Sequence, residues 1–168
     1  MVAVTLEQVG PERARTIANL FQLYVHDFTD FWETRRVELG EDGRFPPYPP
    51  LETYFREPDR SAWLIRADGN LAGFALLDTH SHSGEPLDHN MGEFFVARHY
   101  RREGVGRVAA MEIIGTRPGQ WELAVARRNI GAMSFWRGVA ASAASGPVDE
   151  QDHQSAAWNG PILRFRVA

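Results

Sequence analysis

The sequence contains no cysteine and no lysine, and all 18 of its basic residues are arginine. Without a thiol there is no cysteine nucleophile, zinc ribbon, iron-sulfur cluster or disulfide. Without a side-chain amine there is no Schiff base to pyridoxal phosphate or to a carbonyl substrate, and no Walker-type lysine for nucleotide phosphates. Long apolar runs are missing too. Nowhere do about 18 apolar residues follow one another, and Met1 to Leu6 lacks both a basic n-region and an apolar stretch, so neither a membrane span nor a secretion signal is expected. A cytoplasmic location is the expectation, with which the absence of cysteine agrees. The net charge of −4 argues against nucleic acid as a general partner, because that binding draws on many cationic contacts to phosphate. Ser/Thr, His, Asp/Glu, Tyr, Arg and backbone amides remain for chemistry.

The 168 residues, 43% apolar and 24% charged, suit a single domain over 1–168 with a sizeable core. Charge is unevenly spread. Residues 91–140 hold eight Arg against four Glu, a local excess of four positive charges that leaves −8 on the rest of the chain. A basic segment in an acidic chain points to a small anionic ligand handled locally.

Val2, Val4 and Leu6 alternate with polar or small residues, as a strand over 2–9 requires, and Gly10-Pro11 closes it and starts a helix. Ile17, Leu20, Phe21, Tyr24, Phe28 and Phe31 recur at helical spacing, and the pattern extends beyond Asp30 into a second piece ending by Gly40. Residues 41–50, with four Pro and one Gly, form a loop, and 51–57 a short helix. Asp68-Gly69-Asn70 between Ala62–Ala67 and Leu71–Thr79 predicts a β-hairpin. A polar loop over 80–90, a strand over 91–97, an apolar helix over 104–115 and a strand over 121–126 follow. In that last strand Trp121, Leu123 and Val125 alternate with Glu122, Ala124 and Ala126. Asn129 caps a last helix to about Ala141, residues 142–157 carry little pattern, and Leu163, Phe165 and Val167 alternate with Arg164 and Arg166 in a half-exposed final strand. The order predicts a mixed α/β fold, a mostly antiparallel sheet flanked by helices.

The strongest local signal is Arg101-Arg102-Glu103-Gly104-Val105-Gly106-Arg107, between the strand at 91–97 and the next helix. Glycines let backbone pass close to a ligand, first-turn amides point outward unsatisfied, and the helix dipole favours phosphate there. Arg102 and Arg107 add bidentate donors. The plainer reading is a tight strand-to-helix turn with solvated arginines. Gly104, Gly106 and Ala109 also spell the dinucleotide fingerprint G-x-G-x-x-A, which fits poorly: seven residues separate Val96 from Gly104, and Glu122 opens the next strand instead of closing it.

With these residues in view, the segment resembles the GNAT superfamily of N-acetyltransferases. A strand ending in hydrophobic-Val followed by R/Q-x-x-G-x-G/A is matched by Phe95-Val96, Arg101, Gly104 and Gly106. The family's next helix, an Asn-x-x-Ala-x-x-Phe-Tyr run followed by a basic residue, is matched by Asn129, Ala132, Phe135, Trp136 and Arg137. The resemblance implies a GNAT-like fold and acetyl-CoA as co-substrate. It places the backbone of Phe95 and Val96 along the pantetheine arm and the amides of Arg102, Gly104, Val105, Gly106 and Arg107 around the pyrophosphate, with Arg101 also in the cofactor site. Asn129, Phe135 and Arg137 would complete the cofactor site. Chemistry then proceeds by direct attack of a primary amine, from a small molecule or peptide, in a ternary complex that needs neither Lys nor Cys.

Glu93, in the strand before Val96, is the candidate general base; the alternative is a solvated carboxylate on that strand. Trp136 stands where the family often has a Tyr that protonates the leaving thiolate, and an indole is no acid of useful pKa. Either the thiolate leaves unassisted or another donor such as Tyr24, Tyr48 or Tyr100 substitutes, and none is preferred. Tyr24, Asp27 and Tyr48, with His26 and Phe45, are candidates for the acceptor pocket, whose acidic surroundings would favour a cationic amine. His80, His82 and His89 with Asp78 and Asp88 have weak metal-ligand spacing, and no metal site is expected. A noncatalytic acyl-CoA-binding module is the second reading, and the oligomeric state stays open, a homodimer included.

Overall fold

One seven-stranded sheet runs from Val4 to Val167 in the computed structural model, which describes residues 1–31, 37–46 and 50–168. Its strands are β1 (Val4–Val9), β2 (Ser61–Ala67), β3 (Asn70–Asp78), β4 (His89–Val96), β5 (Gly119–Ala124), β6 (Asp149–Gln154) and β7 (Asn159–Val167), in the spatial order β1-β2-β3-β4-β5-β7-β6. The helices are α1 (Ala14–Phe28), α2 (Thr53–Arg56), α3 (Val105–Gly115) and α4 (Ile130–Ala143). Every pairing is antiparallel except β4 with β5. Among the described residues no helix is long and apolar enough to cross a membrane.

The β2–β3 hairpin follows from its turn chemistry: Asp68 (φ 49°) and Gly69 (φ 80°) both adopt the left-handed conformation that a two-residue turn between twisted strands demands. Helix α1 buries Ile17, Phe21, Tyr24 and Val25, at helical spacing, against Leu64, Phe74, Leu76 and Phe95. On the opposite face α3 and α4 bury Ala110, Ile113, Val139 and Ala140 against Ala75, Leu77, Met91, Trp121 and Leu163. Strand residues alternate between the two layers, which is why β3 is buried nearly throughout and reads as one continuous apolar run.

Two expectations need correction, and one strand lies where the sequence carried no pattern. Residues 37–40 are not helical, so the second helical piece does not reach Gly40; its residues 32–36 lie outside the described ones. Strand β6 has no apolar alternation because it is a polar edge strand, held by backbone pairing to β7. Nor is Glu122 on a polar face or Arg164 half-exposed. Among the described residues no helix covers β5 and β7 on the α1 side; the polar segment after β3 does, and Glu122 and Arg164, direct cross-strand partners, are both buried beneath it.

Candidate active site at the fork between β4 and β5

Parallel strands β4 and β5 pair only at His89 with Trp121 and Asn90 with Glu122, and then diverge. Past that fork no strand among the described residues covers the β5-facing edge of β4. The gap opens into a cleft of about 670 Å³, with Phe94, Phe95 and Val96 on one wall and Asn129, Ala132, Phe135 and Trp136 on the other. Arg102, Gly104, Gly106 and Arg107 close one end, and Tyr24, Asp27 and Phe28 of α1 reach it from the side.

The closed end is built by the turn into α3. Arg102 (φ 66°) and Gly104 (φ 85°) are both left-handed, and α3 starts at Val105 with Gly104 as its cap residue. The amides of its first turn have no partners within the helix. Val105 is buried in the core and does not line the cleft, whereas Gly106 does. A Cβ there would meet Val96 Cγ2 at 3.5 Å and Phe135 Cε2 at 3.6 Å, ordinary contact, so the missing side chain leaves room in the cleft and answers no backbone strain. Arg107 donates to Ser142 Oγ at 2.8 Å and ties α3 to α4. Asn129 lines the cleft and caps α4, its Oδ1 accepting from Ala132 N at 3.2 Å.

Arg101 organises the turn from within. Its Nε donates to the Val96 carbonyl at 2.6 Å, its guanidinium lies 5.5 Å from the Phe95 ring centroid, and one of its terminal nitrogens pairs with Asp27. Arg98 pairs with the other Asp27 oxygen at 3.0 Å. The structure therefore places Asp27, a candidate for the acceptor pocket, as the anchor of the turn on α1. Burial raises the Asp27 carboxyl, but the two arginines outweigh it and hold it below the usual range. Asp27→Asn is expected to weaken CoA binding several-fold by calorimetry, since each of these partly exposed ion pairs contributes about 0.2–1 kcal/mol to holding the turn; unchanged affinity would contradict the anchor role.

Two other placements differ from expectation. Arg137 does not reach the cleft; on the far side of α4 it makes a bidentate pair with Glu150 of β6, at 2.6 Å for the shorter contact. The carbonyl of Phe95 lies against Gly73 of β3, where an added Cβ would come within 2.0 Å of it. It is thus the Val96 carbonyl that turns towards the cleft. Phe135 stacks on Phe94 at 6.0 Å between centroids, and Trp136 meets Phe94 edge-on at 5.1 Å, so α4 supplies an apolar wall. Tyr48 lies outside the described residues. Phe45 is pinned to α1 by reciprocal bonds with the Gln22 amide, at 2.8 and 3.0 Å. Tyr100 packs with the apolar cluster beneath α3. His80 and His82 meet edge-on, while His89 contacts the Pro118 carbonyl, and no three metal-ligating side chains converge among the described residues.

Glu93 lies on the α1 side of β4, where it accepts a hydrogen bond from Tyr24 Oη. Burial pushes its carboxyl up to about 8; the Tyr24 bond opposes the shift and the Asp78 carboxylate adds to it. Leu76 pairs with Glu93 and Leu77 with Met91, so Gly92 is an extra residue, a β-bulge that redirects the strand beside Glu93. Tyr54 and Asn90, which bond to Asp78 beside the bulge, were not among the candidates, and Asp78 stood only among weak metal ligands. A signal existed: Gly92 sits inside an apolar strand pattern, and Asp78 ends one.

A pantetheine-linked nucleotide fits these residues: an unpaired strand edge, aromatic walls, and unsatisfied helix amides flanked by arginines at the end where phosphates would lie.

Comparison with known proteins agrees with this geometry. The family model for GNAT acetyltransferases matches residues 17–139. No curated protein matches the sequence closely. Among solved structures, an acetyltransferase from Thermus thermophilus superposes with a TM-score of 0.67 at 14% identity, over 99% of this chain and 97% of that one. A GNAT-family acetyltransferase from Staphylococcus aureus gives 0.65 at 14% identity, over 99% and 100%. The spermidine N-acetyltransferase of Vibrio cholerae, in complex with CoA and spermine, gives 0.60 at 14% identity, over 98% and 94%.

Proposed function

Because the chain belongs to the GNAT acetyltransferase family, we propose that it transfers the acetyl group of acetyl-CoA to a primary amine of a small molecule or peptide, by direct attack in a ternary complex. The observation that carries this reading is the fork: a cleft with a strand edge that β5 leaves uncovered along one wall, a phosphate-suited helix start at one end and the high-pKa carboxyl of Glu93 on the same strand.

In this reading bound acetyl-CoA supplies an acetyl group already activated as a thioester. The amides of Val105, Gly106 and Arg107, with Arg102, hold the phosphate end. The edge of β4 at Val96 orients the arm, and Phe94, Phe135 and Trp136 exclude water from it. Glu93 accepts the proton that an alkylammonium must lose before its nitrogen can attack, and a carboxyl poised near 8 suits that donor better than an ordinary one. Residues 1–168 act as one catalytic domain in the cytoplasm, on an acceptor that is neither nucleic acid nor membrane. The spermine bound by the Vibrio relative makes a cationic amine the first class to test.

The direct test is release of CoA thiol from acetyl-CoA against a panel of polyamines, aminoglycosides, amino acids and peptides. Tight CoA binding with no turnover would favour the second reading, a noncatalytic acyl-CoA-binding module, to which the indole at Trp136 lends support. For the cofactor site, Gly106→Trp places an indole in the cleft and is expected to weaken CoA binding at least tenfold without lowering the melting temperature, because the Cβ itself has room. Arg102→Ala should weaken it less. Unchanged affinity in both would refute the phosphate assignment.

A further inference from the structure

Resting on the proposed transferase reading, we infer that Asp78 is a positioning residue for proton removal: locked behind the Gly92 bulge on the same side of the sheet as Glu93, its carboxylate adds to burial in holding the proton on Glu93. Asp78 ends β3 and is 8% exposed. Its carboxylate accepts three bonds, from Tyr54 Oη at 2.6 Å, Asn90 Nδ2 at 2.8 Å and the His80 amide at 3.0 Å. All three are donors, so the side chain is held as an acceptor-only anion with no freedom to turn away.

The bulge decides what this anion acts on. Asp78 pairs with Asn90, and Leu76, two residues before it on the same side of β3, pairs with Glu93. If Gly92 were paired in regular register instead of bulged out, it would take the place beside Asn90 on this side and Glu93 would fall on the α3 side. Glycine at 92 is what lets the arrangement close up. An added Cβ would lie 2.6 Å from Asp78 Oδ2 and 3.2 Å from Tyr54 Oη. Among the described residues Glu93 bonds to Tyr24 from α1 and feels the charge of Asp78 from β3, while Tyr54 from α2 and the neutral Asn90 bond to Asp78, with Arg60 behind Tyr54 at 5.3 Å from its ring centroid. Tyr24 stabilises the ionised carboxylate and Asp78 opposes ionisation. Tyr54, with its hydroxyl on the same anion, is itself pushed upward by burial and by Asp78. It remains a neutral donor, so Asp78 is the one fixed negative charge in the set.

Asp78→Asn is the informative variant because it keeps the packing. The amide oxygen can still accept from Asn90 and His80, and Tyr54 Oη can reverse to accept from the new NH₂. The Glu93 carboxyl is followed directly by ¹³C NMR titration of the CoA-free full chain, its signal assigned by disappearance in Glu93→Gln. Asp78→Asn is expected to lower the Glu93 midpoint by about one pH unit. An unmoved midpoint in the folded variant overturns the assignment. Should the variant not fold, Gly92→Ala decides: it keeps every titrating group but pushes the Asp78–Tyr54 pair away, so a lowered midpoint supports the role and an unmoved one overturns it. The titration needs no acceptor, so failure to find a turned-over amine would sink the transferase reading and leave this result to stand or fall by itself.

Discussion

Glu93→Gln is expected to lower kcat/KM for acetyl transfer by about 10²- to 10⁴-fold, the usual contribution of a positioned base, while CoA affinity stays unchanged. The split follows from placement. Glu93 lies on the α1 side of β4, whereas the residues assigned to CoA line the cleft beyond it. The wild-type kcat/KM should rise with pH along a limb whose midpoint lies near 8, and the variant should lack that limb. Tyr24→Phe gives the sign control: the bond from Tyr24 favours the ionised form, so removing it should move the limb to higher pH. Stability supplies an independent readout. The folded pKa lies above the unfolded value of about 4.3, so between the two the unfolded chain has lost a proton that the folded protein keeps. Wild-type stability must therefore fall as pH rises from about 4.3 through 8, and Glu93→Gln, which carries no such proton, should gain on it across the same window. Equal kcat/KM in both proteins would remove Glu93 from the mechanism, and parallel stability curves would remove the buried ionisation.

What was legible beforehand depended on how local its cause is. The hairpin at Asp68-Gly69, the Asn129 cap and the glycine turn into α3 are each specified by a few consecutive residues, and each is where the spacing placed it. The cleft was legible only as far as those local features bound it, because its existence depends on β5 leaving β4 after two paired positions. Arg137 satisfied a motif position yet turned outward, since the edge strand that offers it Glu150 carries no apolar pattern by which to foresee it. Asp27 was visible as an acid on α1 but not as the partner of two arginines about 70 positions later. Glu93 was visible, and its altered acidity was not, because that requires knowing which residues a bulge brings beside it.

Glu122→Ala is expected to be the most destabilising of these substitutions. The side chain is fully buried, and its two oxygens accept from the His82 and Ser83 amides, from the Ser83 hydroxyl at 2.6 Å and from Arg164 at 2.5 Å. Burial alone would raise this carboxyl; the donors from His82, Ser83 and Arg164 overcome it and bring it down to about 2. A lowered folded pKa means the stabilisation is complete above the unfolded value of about 4.3 and is lost as pH falls towards 2, so acid should release this segment first. Removing the carboxylate leaves the buried Arg164, among the described residues, only the longer ion pair with exposed Glu85 at 3.5 Å, at a cost of about 3–5 kcal/mol, or a melting temperature lower by roughly 10 °C. The same loss reaches the active site by register. Glu122 pairs with Asn90 at the last rung before β4 and β5 separate, and Asn90 holds Asp78. Glu122→Leu combined with Arg164→Met should recover most of the stability, because an apolar pair of similar volume requires no charge compensation. It would leave the Ser83 hydroxyl and the amides of His82 and Ser83 without their acceptor, so part of the deficit should persist and the segment over β5 should stay loose. Denaturant unfolding of the single and double variants decides the matter: a single-variant loss below about 1 kcal/mol would mean that water, and not the Glu122–Arg164 pair, satisfies this face of the sheet.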